Sequence, residues 1–146
     1  KGVESVYVTH DAEAREVDRH TFYHTRESGG TMISSGYDVI NKIISERYNP
    51  SDWNIYLFQY SDGDNWSALD TQHCFQIMGE MIDKLNLVGY VQIESPYGSG
   101  DYLNDIEEFR ILNDLEDKII TSEISLSGAK DESIMEAIRR LLSTGR

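Results

Sequence analysis

Two short segments of this chain carry the residue types that could do chemistry. Ser61-Asp62-Gly63-Asp64-Asn65 packs oxygen-bearing side chains around a glycine, and Gly29-Gly30-Thr31 offers a hydroxyl beside two glycines. A hydroxyl with one or two carboxylates suits a hard cation such as Mg2+ or Mn2+, which takes oxygen ligands and keeps several waters. Taken singly, each segment also reads as an ordinary turn, with the Gly-Gly-Thr serving as turn and helix cap. The four histidines, His10, His20, His24 and His73, show no metalloprotease-like H-E-x-x-H spacing. His20 and His24 are four apart, but they flank a stretch that reads as strand, where that spacing does not put them on one helix face. His10 lies at a strand end, close to the expected ligand edge.

The elements that must position these loops follow from the hydrophobic pattern. Val3 to Thr9 is β-branched and aromatic and predicts a strand. Arg15 to Tyr23 predicts a second, shorter strand, hairpin-paired with the first. Ile33, Tyr37, Ile40, Ile44 and Tyr48 follow helical spacing up to the break at Asn49-Pro50. Trp53 to Tyr60 is apolar enough to predict a central strand covered on both faces. Asp70 or Thr71 is expected to cap the next helix, with Phe75, Met78, Ile82 and Leu85 as its apolar stripe. Leu87 to Ile93 predicts a strand, and Glu94 to Gly100 a loop. Tyr102, Ile106, Phe109 and Leu112 mark a third helix, and Lys118 to Ile124 a short strand. Asp131 to Ser143 is the last helix, with Ile134, Ile138, Leu141 and Leu142 inward and Gly145 as its stop. Tyr97 to Asp101 reads as a flexible loop.

Strands alternating with helices predict an α/β fold, a mainly parallel sheet flanked by helices in the Rossmann-like manner. In such sheets ligands bind beyond the carboxyl ends of the strands, where both oxygen-rich loops are expected, side by side. The 146 residues suit one domain. A net charge of −13 disfavours nucleic acid and anionic membrane surfaces and favours cations or basic partners. The pair Arg139-Arg140 reads as the basic last turn of a helix. A single cysteine, Cys74, excludes an intrachain disulfide and fits a reducing, cytoplasmic compartment; its apolar neighbours mark it as a helix position facing the core. The chain opens on Lys1 and runs almost at once into strand-like sequence, so it is expected to be cut off upstream.

The stretch from Thr25 to Trp66 resembles the bacterial YeaH/YhbH family. E-S-G-G-T-x-x-S-S, E-R-Y-N-P-x-x-W-N-I-Y and S-D-G-D-N carry the likeness, with His10 and Arg15-Glu16-Val17 upstream and a thinner match after Cys74. That family is similar to von Willebrand factor A-type domains, whose metal-ion-dependent adhesion site joins a D-x-S-x-S loop, a Thr and an Asp. The resemblance implies Thr31 and Asp62 as metal residues, with Asp64 as a nearby acid. No D-x-S-x-S occurs in the chain. The site is therefore expected to be partial, with Mg2+ or Mn2+ bound in the full-length protein and the site empty in this fragment. The first strand is expected to be missing from the sheet, and strand rearrangement or a homodimer through the gap to compensate. The resemblance further implies a non-catalytic protein-interaction module acting with a PrkA-type serine protein kinase in stress or sporulation. Two alternatives stand beside it: an Mg2+-dependent hydrolase using Asp62 or Asp64, and a scaffold that binds no metal.

Overall fold

A computed structural model describes residues 2–25, 31–96, 100–125 and 131–143, the side chain of Asp131 excepted. Arg26 to Gly30, with the Gly29-Gly30 pair, lie outside the described residues, as do Tyr97 to Ser99 and Gly145. The chain divides into two compact units: Lys1–Asn49 with Asn65–Glu80, and Pro50–Asp64 with Met81–Arg146.

The first unit opens with strands β1 (Tyr7–His10) and β2 (Ala14–Val17), an antiparallel hairpin in which Tyr7 faces Val17 and His10 faces Ala14. The expected pairing is present, but β2 stops at Val17. Asp18 then accepts a hydrogen bond from the Thr21 amide at 2.7 Å and starts helix α1 (Arg19–His24). An aspartate cap outweighs the strand propensity of Thr21, Phe22 and Tyr23 because it satisfies an otherwise orphaned helix amide. Phe22 and Tyr23 also gain ring contacts with Tyr7, at centroid distances of 5.1 and 6.1 Å. Helix α2 (Ile33–Arg47) follows, its Ile33, Tyr37 and Ile44 buried as the periodicity predicts. It packs on both strands of the hairpin. The His10 ring packs on α2 at Gly36, 3.6 Å from where a Cβ there would sit, an ordinary van der Waals distance. All but the last residue of helix α3 (Ala68–Met81) belong to this unit, with Cys74, Ile77 and Met78 buried.

The second unit is a parallel sheet in the order β3 (Tyr56–Ser61), β4 (Leu87–Ile93), β5 (Ile119–Ile124). A single 3-10 turn, Ile82–Lys84, leads into β4. The central strand is β4, buried along its first six residues, Leu87 to Gln92. The apolar run before Asp62 was expected to be central; instead β3 is an edge strand of this sheet. Tyr56, Phe58 and Tyr60 are 50%, 40% and 51% exposed, so its apolar character does not report cover on both faces. Helix α4 (Tyr102–Leu112) and helix α5 (Asp131–Ser143) both pack on β5. Ala137 and Leu141 of α5 close a core with Leu87, Val91, Ile120 and Ile124. Ile134, Ile138 and Leu142, expected to face inward, are exposed; only Leu141 of that set is buried. Burying Ala137 with Leu141, four residues apart, turns the helix so that the other three lie on its flank.

Candidate loop site at the carboxyl ends of the parallel strands

The oxygen-rich loop begins where β3 ends. The Ser61 hydroxyl accepts from the Gly63 amide at 3.1 Å, and Asp62 Oδ1 accepts from the Asp64 amide at 3.1 Å. These side-chain-to-backbone bonds bend the chain as a turn would. Gly63 at the apex has φ +78°, the left-handed region that costs a residue with a Cβ about 1–2 kcal/mol. Space excludes a side chain there as well, since a Cβ would come within 2.0 Å of Gln92 Oε1.

Gln92, buried on β4, is the residue that organises this end of the sheet. Its Oε1 accepts from the Tyr90 hydroxyl at 2.9 Å and from the Leu103 amide at 3.1 Å, while its Nε2 donates to the Gly100 carbonyl at 2.7 Å. The Gly63 carbonyl in turn accepts from the Tyr102 amide at 3.2 Å. One glutamine side chain therefore ties together the strand, the start of α4 and the wall of the Asp62 loop. Burial pushes the Tyr90 phenol well above its ordinary range; a hydrogen bond with Ser61 opposes the shift and the Asp62 charge adds to it. Tyr90 thus stays protonated and donates. Neither Tyr90 nor Gln92 stands out in the sequence as more than a position in an apolar strand.

Thr31 belongs to the first unit, Asp62 and Asp64 to the second. The Thr31 carbonyl accepts from the Trp66 amide at 2.8 Å. It does not supply the cap of α2, whose N-cap position is Met32 without a side-chain bond. The cap comes from far along the chain. Asn65 Oδ1 accepts from the Ile33 amide at 3.1 Å, and Asp70 takes the Ser34 amide at 3.1 Å and the Ser34 hydroxyl at 2.5 Å. Asp70 or Thr71 was expected to cap α3; Ser67 has that place, its hydroxyl accepting from the Asp70 amide at 3.2 Å. A carboxylate at a helix N-terminus meets both free amides and the positive end of the helix dipole, which explains the switch. Cys74 Sγ lies 3.7 Å from the same carboxylate, buried as expected.

Among the described residues no group of three or more His, Cys, Asp or Glu side chains could hold a metal ion. Asp62 also has one oxygen already turned to the Asp64 amide. Among the described residues the loop by itself offers the two carboxylates of Asp62 and Asp64, fewer than the ligands a divalent cation takes. Among the described residues no helix is long and apolar enough to cross a membrane.

Comparison with known proteins adds the family. A family model described as a protein of unknown function, DUF444, matches residues 1–145. The chain belongs to the DUF444 family. This is the YeaH/YhbH family that the Thr25 to Trp66 segment resembles. Among its relatives is a UPF0229 protein of Ruminiclostridium cellulolyticum strain H10, 38% identical over 140 residues, which cover 96% of this chain and 33% of that protein. The chain thus spans about a third of the length of that DUF444 relative. No solved structure matches.

Proposed function

We propose that this chain is a non-catalytic protein-interaction module of the von Willebrand factor A type, with the Ser61–Asp64 loop as its contact edge. One observation carries the reading: Asp62 and Asp64 sit on a turn held by two local hydrogen bonds, a left-handed glycine and the wall that Gln92 makes. A loop ordered before contact loses less freedom on binding, so more of its interaction energy appears as affinity. With a net charge of −13, an acidic edge selects a basic or cation-bridged partner surface. The family resemblance makes a PrkA-type serine protein kinase the partner to test, in a cytoplasmic stress or sporulation setting.

Asp62 and Asp64 are this chain's proposed contribution to a Mg2+ or Mn2+ site in the full-length relative, where the remaining ligands come from other segments. The test is calorimetric binding of the purified kinase to this chain and to the full-length Ruminiclostridium cellulolyticum relative, with Mg2+ and with chelator. Asp62→Ala and Asp64→Ala in this chain are expected to weaken binding at least about tenfold, or 1.4 kcal/mol. Unchanged affinity in both variants refutes the contact edge. Binding indifferent to chelator in the full-length relative removes the metal and leaves a scaffold. Turnover of a phosphate or ester substrate that Asp62→Asn abolishes would establish a hydrolase instead.

A further inference from the structure

We propose that His20 and His24 form a two-histidine site for one late transition ion, Zn2+ or Cu2+, separate from the acidic loop. Both residues lie on α1 rather than on a strand, so their four-residue spacing places them on one helix face. Their rings are stacked, with centroids 4.1 Å apart and planes 12° from parallel. Two imidazole nitrogens bound to one tetrahedral Zn2+ at about 2.0–2.1 Å sit roughly 3.3 Å from each other. A shared ion must lie in the plane of each ring, so the exposed His20 ring turns out of the stack about its side-chain bonds when the pair takes up a single ion.

The tautomer of His24 is set for the task. Its Nδ1 lies 2.7 Å from the His20 carbonyl oxygen. A carbonyl cannot donate, so Nδ1 carries the hydrogen, and the Nε2 lone pair is left for a ligand. Ligating histidines are generally held in this way, by a backbone carbonyl or carboxylate on the other nitrogen. The platform is firm for so short a helix. Asp18 caps it, the Thr25 hydroxyl donates to the Thr21 carbonyl at 2.7 Å, and the Phe22 ring packs, tilted, against Tyr7 of β1. The neighbouring cation, Arg19, lies over the Tyr23 ring at 5.9 Å. Imidazole suits Zn2+ and Cu2+ rather than Mg2+, and Cu2+ binds such ligands more tightly than Zn2+. Both histidines are exposed, so water or a partner's side chain can complete the coordination.

Calorimetric titration of the full chain with ZnCl2 and CuCl2 tests the site. One ion per chain is expected, with Cu2+ the tighter. His20→Gln and His24→Gln should each weaken binding at least tenfold, whereas His73→Gln, beside Asp38 on other helices, should leave it unchanged. NMR of the unmutated chain with Zn2+ gives an independent readout, in which the imidazole resonances of His20 and His24 move together. No binding of either ion, affinity unchanged from the unmutated chain in the His20 or the His24 variant, or shifts centred on His10 or His73 would each overturn the proposal.

Discussion

The Asp70 carboxylate supplies a sharp test of how the first unit holds the start of α2. Asp70→Ala removes the acceptor of both the Ser34 amide and the Ser34 hydroxyl, all buried. Loss of a helix cap costs about 0.5–2 kcal/mol. A buried donor left without a partner adds about 1–3 kcal/mol. Removing a buried charge returns part of this, because its own desolvation cost disappears. The balance is a destabilisation of about 2–4 kcal/mol, a large share of the ~5–15 kcal/mol that holds a typical domain. Asp70→Asn keeps one acceptor oxygen and should fall between the two. Urea unfolding followed by far-UV circular dichroism and tryptophan fluorescence reads these differences, since Trp66 lies in the same unit. Combining Asp70→Ala with Ser34→Ala should cost less than the two singles added, by about 1 kcal/mol, because the hydroxyl is no longer stranded. A loss under about 0.5 kcal/mol for Asp70→Ala, or additivity of the pair within about 0.3 kcal/mol, refutes the long-range cap.

Gly63→Ala is expected to destabilise by about 2–4 kcal/mol, combining the left-handed backbone penalty with displacement of Gln92 from its three partners. At this chain length that is a fall in Tm of roughly 5–15 °C by calorimetry, and a wild-type Tm would contradict the geometry. Burial raises the Asp105 carboxyl above its ordinary value of 3.8, and the Asp101 and Glu108 charges add to the shift. A raised carboxyl favours the native state only while protonated, so its contribution is complete below the unfolded value and is lost as pH rises through the folded one. Asp105→Asn should therefore raise stability at pH 7, with the advantage fading as pH falls toward the ordinary carboxyl value of 3.8. A constant difference between pH 3 and pH 7 would show that charge is not the cause.

Glu107 shows how tertiary contacts reverse an expectation from burial. Burial alone would raise its carboxyl, but hydrogen bonds from the Thr121 hydroxyl and the Arg110 guanidinium lower it on balance. Arg110 Nη2 lies 2.8 Å from Glu107 Oε2, and its Nη1 reaches the Ile119 carbonyl at 3.2 Å, fastening α4 to β5. A helix-spaced Glu and Arg are visible in the sequence; that they join this helix to a strand is not.

By itself the sequence determined the helices α2, α4 and α5, the strands β4 and β5, the parallel α/β pattern and the acidic loop after β3. Each of these rests on periodicity, on turn chemistry or on an uninterrupted apolar run, which are properties of neighbouring residues. Only the tertiary structure decided the rest. It made β3 an edge strand, because an apolar run records hydrophobicity and not the number of neighbours a strand has. It ended β2 at Asp18, because a cap and the Tyr7 ring outweigh the strand preference of Phe22 and Tyr23. That change carried His20 and His24 from an uninformative spacing onto one helix face. It gave the α2 cap to Asn65 and Asp70, and made Gln92 the joint between two loops, because a buried hydrogen-bonding group is satisfied by whatever the fold brings to it, however distant in the chain.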